Sequence, residues 1–183
     1  MKAEQLVRLR PRVPVRRERR QFGHQLRSDD QPGCAARAVV FYRGAWCPYC
    51  NVALKAYQDL LVPALTERGV TLIAISPQRP DGSLSMRDKH QLSYVVLSDP
   101  GNQIAGKLGI LTTPNPAAVA AQAALGLDLT EVNADGSRTL PMPTTVIVDA
   151  NGVLRWIDVH PNYAMRSEPT DILATLSTIG IDT

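Results

Sequence analysis

Cysteine is scarce in this chain, three in 183 residues, and the count is odd with no scaffold spacing. A disulfide-stapled secreted domain is therefore not expected, and thiols kept reduced or used chemically are. Long apolar runs are missing as well: no stretch of about 18 apolar residues occurs, so nothing reads as a membrane span. The N-terminus has no apolar core of a secretory signal, which points to a cytoplasmic protein. Aromatic residues make up only 5% of the chain, and none interleaves with the N-terminal arginines, which argues against a nucleic-acid surface built on stacking.

Charge is present but unevenly placed. Residues 1–37 hold ten Lys/Arg against four acids, +6, so with a net +3 the remaining chain carries −3. The head, with "RLRPRVPVRRERR", reads as a solvated, poorly ordered arm over 1–36, and the folded domain as 37–183. The other reading of such a head is a tether for an anionic partner. At 183 residues one domain with its own core is expected.

Within that domain, β-rich runs alternate with helical patterns. "RAVVFYR" (37–43) reads as a buried strand. "PYCNVALKAYQDLLVPALTERG" reads as a helix ended by Gly69 and interrupted near Pro63. "VTLIAIS" (70–76) is a second strand, followed by a turn-rich stretch with room for a helix. "LSYVVLSD" (92–99) is a third strand, "PGNQIAGKLGI" a short helix, and "PAAVAAQAALG" an Ala-rich helical patch. "TTVIVDANGVLRWIDV" (144–159) reads as a hairpin around Asn151-Gly152. "EPTDILATLSTIG" closes as a helix with Pro169 in its first turn. The order predicts an α/β fold with a central mixed sheet and helices on both faces, a thioredoxin-like arrangement with an added strand–helix unit.

The chemistry centres on "VVFYRGAWCPYCNVALKAY". Cys47 falls where a strand gives way to a helix, with Pro48 suited to the first helical position. A helix N-terminus offers free N–H groups and positive potential, enough to bring a thiol from about 8.5 to near 7 or below. Cys50, one turn on, lies within disulfide reach. The expectation is an accessible Cys47 that attacks and a more buried Cys50 that resolves. Trp46 would shield the site and offer partners an apolar contact. A zinc site needs four ligands, and Cys34, His24, His90 and His160 stand at no ligand spacing. Two inert buried thiols are the remaining alternative. His90 reads as surface, and His160 as structural, with a proton relay as its other reading. Pro143 precedes the hairpin, where a thioredoxin-like sheet faces its CxxC. A cis-proline there would expose backbone to an extended substrate; the local alternative is the start of an edge strand.

At "FYRGAWCPYC", "SDPGNQIAGKLGI" and "MPTTVIVDANGVLRW" the chain resembles the peroxiredoxin-like AhpC/TSA family, in its CxxC-containing branch. The resemblance runs from about Arg37 to the end. The head lacks the Gly-Asp and Pro-x-Phe opening of that family. The family's Pro-x-x-x-Thr-x-x-Cys motif, laid on Phe41-Tyr42, puts Pro on Arg43, Thr on Cys47 and the peroxidatic Cys on Cys50. The family's distant arginine falls near Pro143. Losing the Thr and Arg donors removes groups worth about 3 kcal/mol each in comparable sites.

The resemblance therefore implies a thiol-dependent oxidoreductase cycling Cys47/Cys50 between dithiol and disulfide to reduce disulfide substrates, with Cys47 attacking. Its alternative is a thiol peroxidase acting on hydrogen peroxide or alkyl hydroperoxides, with Cys50 attacking. A redox-sensing binding module that docks through the basic head is the non-enzymatic alternative. No metal, flavin or nucleotide is implied. The electron donor would be a thiol system such as thioredoxin or glutathione.

Overall fold

A computed structural model describes residues 36–181. Five strands form the central sheet in the order β3-β2-β1-β6-β7. β1 is Ala36–Phe41, β2 Val70–Ser76 and β3 Val95–Ser98; β6 is Thr144–Val148 and β7 Leu154–Val159. β1, β2 and β3 run parallel, whereas β6 pairs antiparallel with both β1 and β7. Two parallel crossovers and one hairpin thus build the mixed sheet that the alternation of elements predicts. Leu111–Thr112 (β4) and Leu140–Pro141 (β5) pair separately. They bracket the inserted segment with helices α5 (Pro116–Ala124) and α6 (Leu129–Val132).

The central strands are apolar on both faces because both faces are covered. Ala38, Val40, Leu72, Ala74 and Ile147 face α1 (Pro48–Ala56), α2 (Val62–Glu67) and α7 (Pro169–Thr178), whose Leu54, Leu65, Ile172 and Leu176 complete that layer. Met86 of α3 (Pro80–His90) joins the same layer. Val39, Phe41, Ile73, Ile75 and Val146 face the other way, onto Ala105 of α4 (Gln103–Lys107) and Ile110. Burial of each such Leu or Ile is worth about 1.5–3 kcal/mol.

Pro63 leaves its mark upstream of itself. Between α1 and α2, Tyr57–Leu61 form a π-turn, and the Val62 N–H reaches back five residues to the Tyr57 carbonyl. Proline cannot donate to the carbonyl four residues before it, so the chain widens there instead of breaking. The extra residue keeps Tyr57, Leu61 and Leu65 all turned into the core. Gly69 ends α2 with φ +64, as its C′ position asks.

The hairpin is looser than the dipeptide alone suggests. Asp149–Val153 form a five-residue loop in which the Asp149 N–H donates to the Val153 carbonyl, and the pairing shifts between Ile147 and Val148. Among the described residues no peptide bond is cis, which corrects the cis-proline expected at Pro143. The Met142 N–H donates to Ile110 and the Pro143 carbonyl accepts from His160 N–H. A trans, extended path from β5 into β6 serves both bonds. Among the described residues no helix is long and apolar enough to cross a membrane. Cys34 and the basic head, including His24, lie outside the described residues.

Candidate active site

β1 delivers the chain to the site. Tyr42 N–H still bonds across to Ile75, after which Arg43–Trp46 loop over and the Cys47 N–H closes a turn onto the Gly44 carbonyl. Gly44 is required sterically: a Cβ there would overlap the Trp46 indole nitrogen. Cys47 is the N-cap of α1 in extended conformation, Pro48 opens the helix, and the Cys47 carbonyl accepts from both Cys50 and Asn51 N–H at 3.1 Å. The strand-to-helix junction read from sequence is therefore present, and both cysteines are free thiols.

Cys50 is fully buried, the more enclosed of the two as expected, but Cys47 is only 2% exposed, which corrects the accessible Cys47 expected from sequence. The Cys47 thiol makes no capping bond to the helix; it donates to Cys50 instead. That bond, together with burial, pushes the Cys47 pKa up. Accepting the same bond pulls Cys50 down, from 9.0 to about 6, against its own burial. The Arg166 guanidinium and the Arg43 backbone N–H add to the pull. The donors thus favour the anion on the inner sulfur rather than at the N-cap.

Arg166 is the residue that sequence reading missed. Its Nη2 donates to Cys50 Sγ at 3.2 Å, and its Nη1 donates to the carbonyls of Tyr163 and Met165. The guanidinium is therefore fixed within its own loop and aimed at the sulfur. That loop, residues 160–167 after β7, is anchored at its base: Asp158 Oδ2 accepts from His160 Nε2 at 2.8 Å and Ser167 Oγ at 2.9 Å, and Tyr57 OH donates to the Ser167 carbonyl at 2.7 Å. His160 is thus structural. The segment "NYAMRSEPT" carries no spacing signal toward Cys50, so only the folded chain reveals the contact.

Beside Cys50 lies a cavity of about 10 Å³, lined among others by Pro143, Thr145, Tyr57 and Arg166. One water molecule needs about that much room. Pro143 and Cys50 thus line the same cavity. Trp46 lies outside that cavity and forms a rim: Arg43 stacks on it at 5.1 Å and on Tyr163 at 4.7 Å, and Tyr49 meets Tyr163 edge-on at 6.0 Å. Arg155 pairs with Asp149 at 3.2 Å, well away from the sulfurs in role.

A five-stranded mixed sheet carrying a buried thiol pair at the mouth of its first helix narrows the family, and the AhpC/TSA family model matches residues 13–157. The chain belongs to the AhpC/TSA family. Its members are thiol-dependent oxidoreductases, and that class of activity comes with the membership. The match begins inside the basic head and ends before Arg166, so the arginine at Cys50 comes from beyond the matched segment. Solved structures of similar fold include Enterococcus faecalis AhpC, 16% identical with TM-score 0.59 over 79% of this chain and 74% of that one. Another is reduced Prx3 of Vibrio vulnificus in complex with hydrogen peroxide, 18% identical with TM-score 0.61 over 79% and 82%. Mycobacterium tuberculosis AhpC is 18% identical, with TM-score 0.60 over 84% and 73%. These likenesses establish a peroxiredoxin-type elaboration of the thioredoxin-like fold. No curated protein sequence matches the chain.

Proposed function

We propose that the protein is a thiol peroxidase in which Cys50 attacks a small hydroperoxide and Cys47 resolves the product. The observation that carries this reading is the Arg166 guanidinium 3.2 Å from a buried Cys50 sulfur beside a water-sized cavity. A thiolate so placed has a donor ready for the peroxide oxygen that leaves. The cavity favours hydrogen peroxide or a short alkyl hydroperoxide over a bulky disulfide. The Cys50 thiolate breaks the O–O bond, becoming a sulfenic acid, and the hydroxide or alkoxide that departs takes a proton from solvent to leave as water or an alcohol. The Cys47 thiol then displaces hydroxide from that sulfur, its proton leaving with it as water, and a Cys47–Cys50 disulfide forms. An external dithiol, of thioredoxin type or supplied through glutathione, restores both thiols and carries away the electron deficit. A cytoplasmic setting, where such donors are held reduced, belongs to the proposal.

Disulfide exchange led by Cys47, the reading favoured by sequence, has less support. It needs an accessible, acidic Cys47, and this thiol is buried with its pKa raised. The test is stopped-flow mixing of the reduced protein with hydrogen peroxide. Oxidation should be far faster than that of free cysteine, absent in Cys50→Ser, and should leave a dimedone-reactive sulfenic acid in Cys47→Ser. A peroxide rate no greater than that of free thiol, alongside rapid reduction of a disulfide by Cys47, would restore the other reading.

A further inference from the structure

Cys50 is held by the helix that contains it and by the core beneath. Cys47 caps that helix, but the loop Gly44–Trp46 that leads into it lies outside the helix and has to be fixed by something else. The structure shows what fixes it. The Ala45 peptide is gripped at both ends, its N–H donating to Gln78 Oε1 and its carbonyl accepting from Asn51 Nδ2 at 2.7 Å. Asn51 Nδ2 also donates to the Cys47 carbonyl at 2.8 Å. Two carbonyl acceptors on that nitrogen fix the orientation of the amide. Its Oδ1 then faces His90, which must carry a proton on Nε2 to make the 2.7 Å contact observed. Lys89 Nζ approaches the same oxygen at 3.5 Å.

Gln78 stands two residues before the start of α3 and His90 is its last residue. The turn entering α3 and the end of that helix therefore both hold the loop, directly through Gln78 and by way of Asn51 through His90. His90, which reads as a surface residue in the sequence, is half-buried and bonded. Gln78 is itself buried.

We propose that Gln78, Asn51 and His90 are positioning residues for disulfide closure, holding the Cys47 loop so that its sulfur faces Cys50. The inference rests on the reading of Cys50 as the attacked and Cys47 as the resolving sulfur. The step concerned is the second one: the S–S bond forms, the S–O bond of the Cys50 sulfenic acid and the S–H bond of Cys47 break, and water leaves. Peroxide attack on Cys50 touches the loop only through the Cys47 thiol's bond to that sulfur, which lowers the Cys50 pKa. Loosening the loop therefore slows closure and lowers the stability of the disulfide, while the first step loses only what a raised Cys50 pKa costs, a loss that high pH restores.

The pair His90→Ala and His90→Gln tests this at a position on the rim of the fold, with Asn51→Ala as the stronger lesion. Each reduced variant is mixed with one equivalent of hydrogen peroxide, and peroxide consumption and thiol-to-disulfide conversion are followed separately. His90→Ala should slow conversion about three- to tenfold, the range of one lost hydrogen bond. Peroxide consumption, followed at about pH 9 where a raised Cys50 pKa no longer limits it, should stay within about twofold. His90→Gln, whose amide nitrogen can donate to the same oxygen, should recover most of the conversion rate. Equilibration with a glutathione redox buffer should show the disulfide of His90→Ala weakened by a similar factor. That second measurement needs no peroxide, so it still decides the matter if Cys50 proves unreactive toward peroxide and the functional reading falls. Unchanged conversion and unchanged glutathione equilibrium in His90→Ala would overturn the proposal. Equal losses in His90→Ala and His90→Gln, or a parallel fall in peroxide consumption at that pH, would overturn it too.

Discussion

Replacing Arg166 by methionine removes one charge and one hydrogen bond from the Cys50 sulfur while keeping an unbranched side chain of similar reach. The drop of the Cys50 pKa from 9.0 to about 6 corresponds to roughly 4 kcal/mol in favour of the anion. The Cys47 donor supplies the largest part and the arginine the next. A hydrogen bond to a charged group is worth about 1.5–3 kcal/mol. Arg166 is half-buried, so the lower part of that range applies, about 2 kcal/mol or roughly 1.5 pKa units. The variant's midpoint should move to about 7.5, and its thiolate fraction at pH 7 should fall from about nine-tenths to about one-quarter. Titrating the thiolate absorbance of the reduced protein measures this directly. Peroxide kinetics add a second channel: the ionisation deficit is recovered by raising the pH, whereas the loss of a donor to the leaving oxygen, about a hundredfold, is not. A midpoint that stays put, or a full recovery of rate at high pH, would refute the role assigned to the guanidinium.

Cys47→Ala should raise the Cys50 midpoint further than Arg166→Met does, because the Cys47 bond is the leading cause of the shift; Cys47→Ser, which keeps a donor, should hold it within about one unit in the same titration. The linkage has a definite sign in the reduced protein. A pKa lower in the folded than in the unfolded chain adds stability above pH 9, and the addition is lost as pH falls toward 6. Urea midpoints of wild type should therefore decline over that interval more than those of Cys50→Ser. Leu61→Ala, at a fully buried position in the π-turn, should cost about 2–5 kcal/mol in urea denaturation with an unchanged m value. Gly44→Ala should displace the Trp46 indole that its methyl would overlap; a changed tryptophan emission and a cost of about 1–3 kcal/mol are expected.

Much of the scaffold was legible from local chemistry. Apolar runs bounded by glycine and proline gave the strands, Pro48 and Pro169 marked helix starts, and Gly69 marked a helix end. α3 was harder, since only Ser83 and Met86 of its eleven residues are buried and no periodic stripe survives to be read. The site divides along the same line. Cys47, Cys50 and Pro143 stand out because their signals are local or tied to the order of strands. Arg166 and His90 do not, since a loop residue and a helix-end residue reach the redox loop only through packing. The preference for the inner sulfur is partly of the same origin: a helix N-terminus argues for Cys47, but the Cys47 thiol's own bond to Cys50, with Arg166 brought in from a distant loop, lowers Cys50 instead.

Arg166 follows Cys50 by 116 residues. At about 5–20 residues per second, the ribosome adds the arginine roughly 6–23 s after the cysteine. Throughout that interval the nascent chain carries two ordinary thiols, mostly protonated and slow to oxidise. The Cys50 sulfur gains its arginine donor only when the loop of Arg166 settles beside the finished sheet. An unfinished or truncated polypeptide is in this way spared the chemistry its completed form performs.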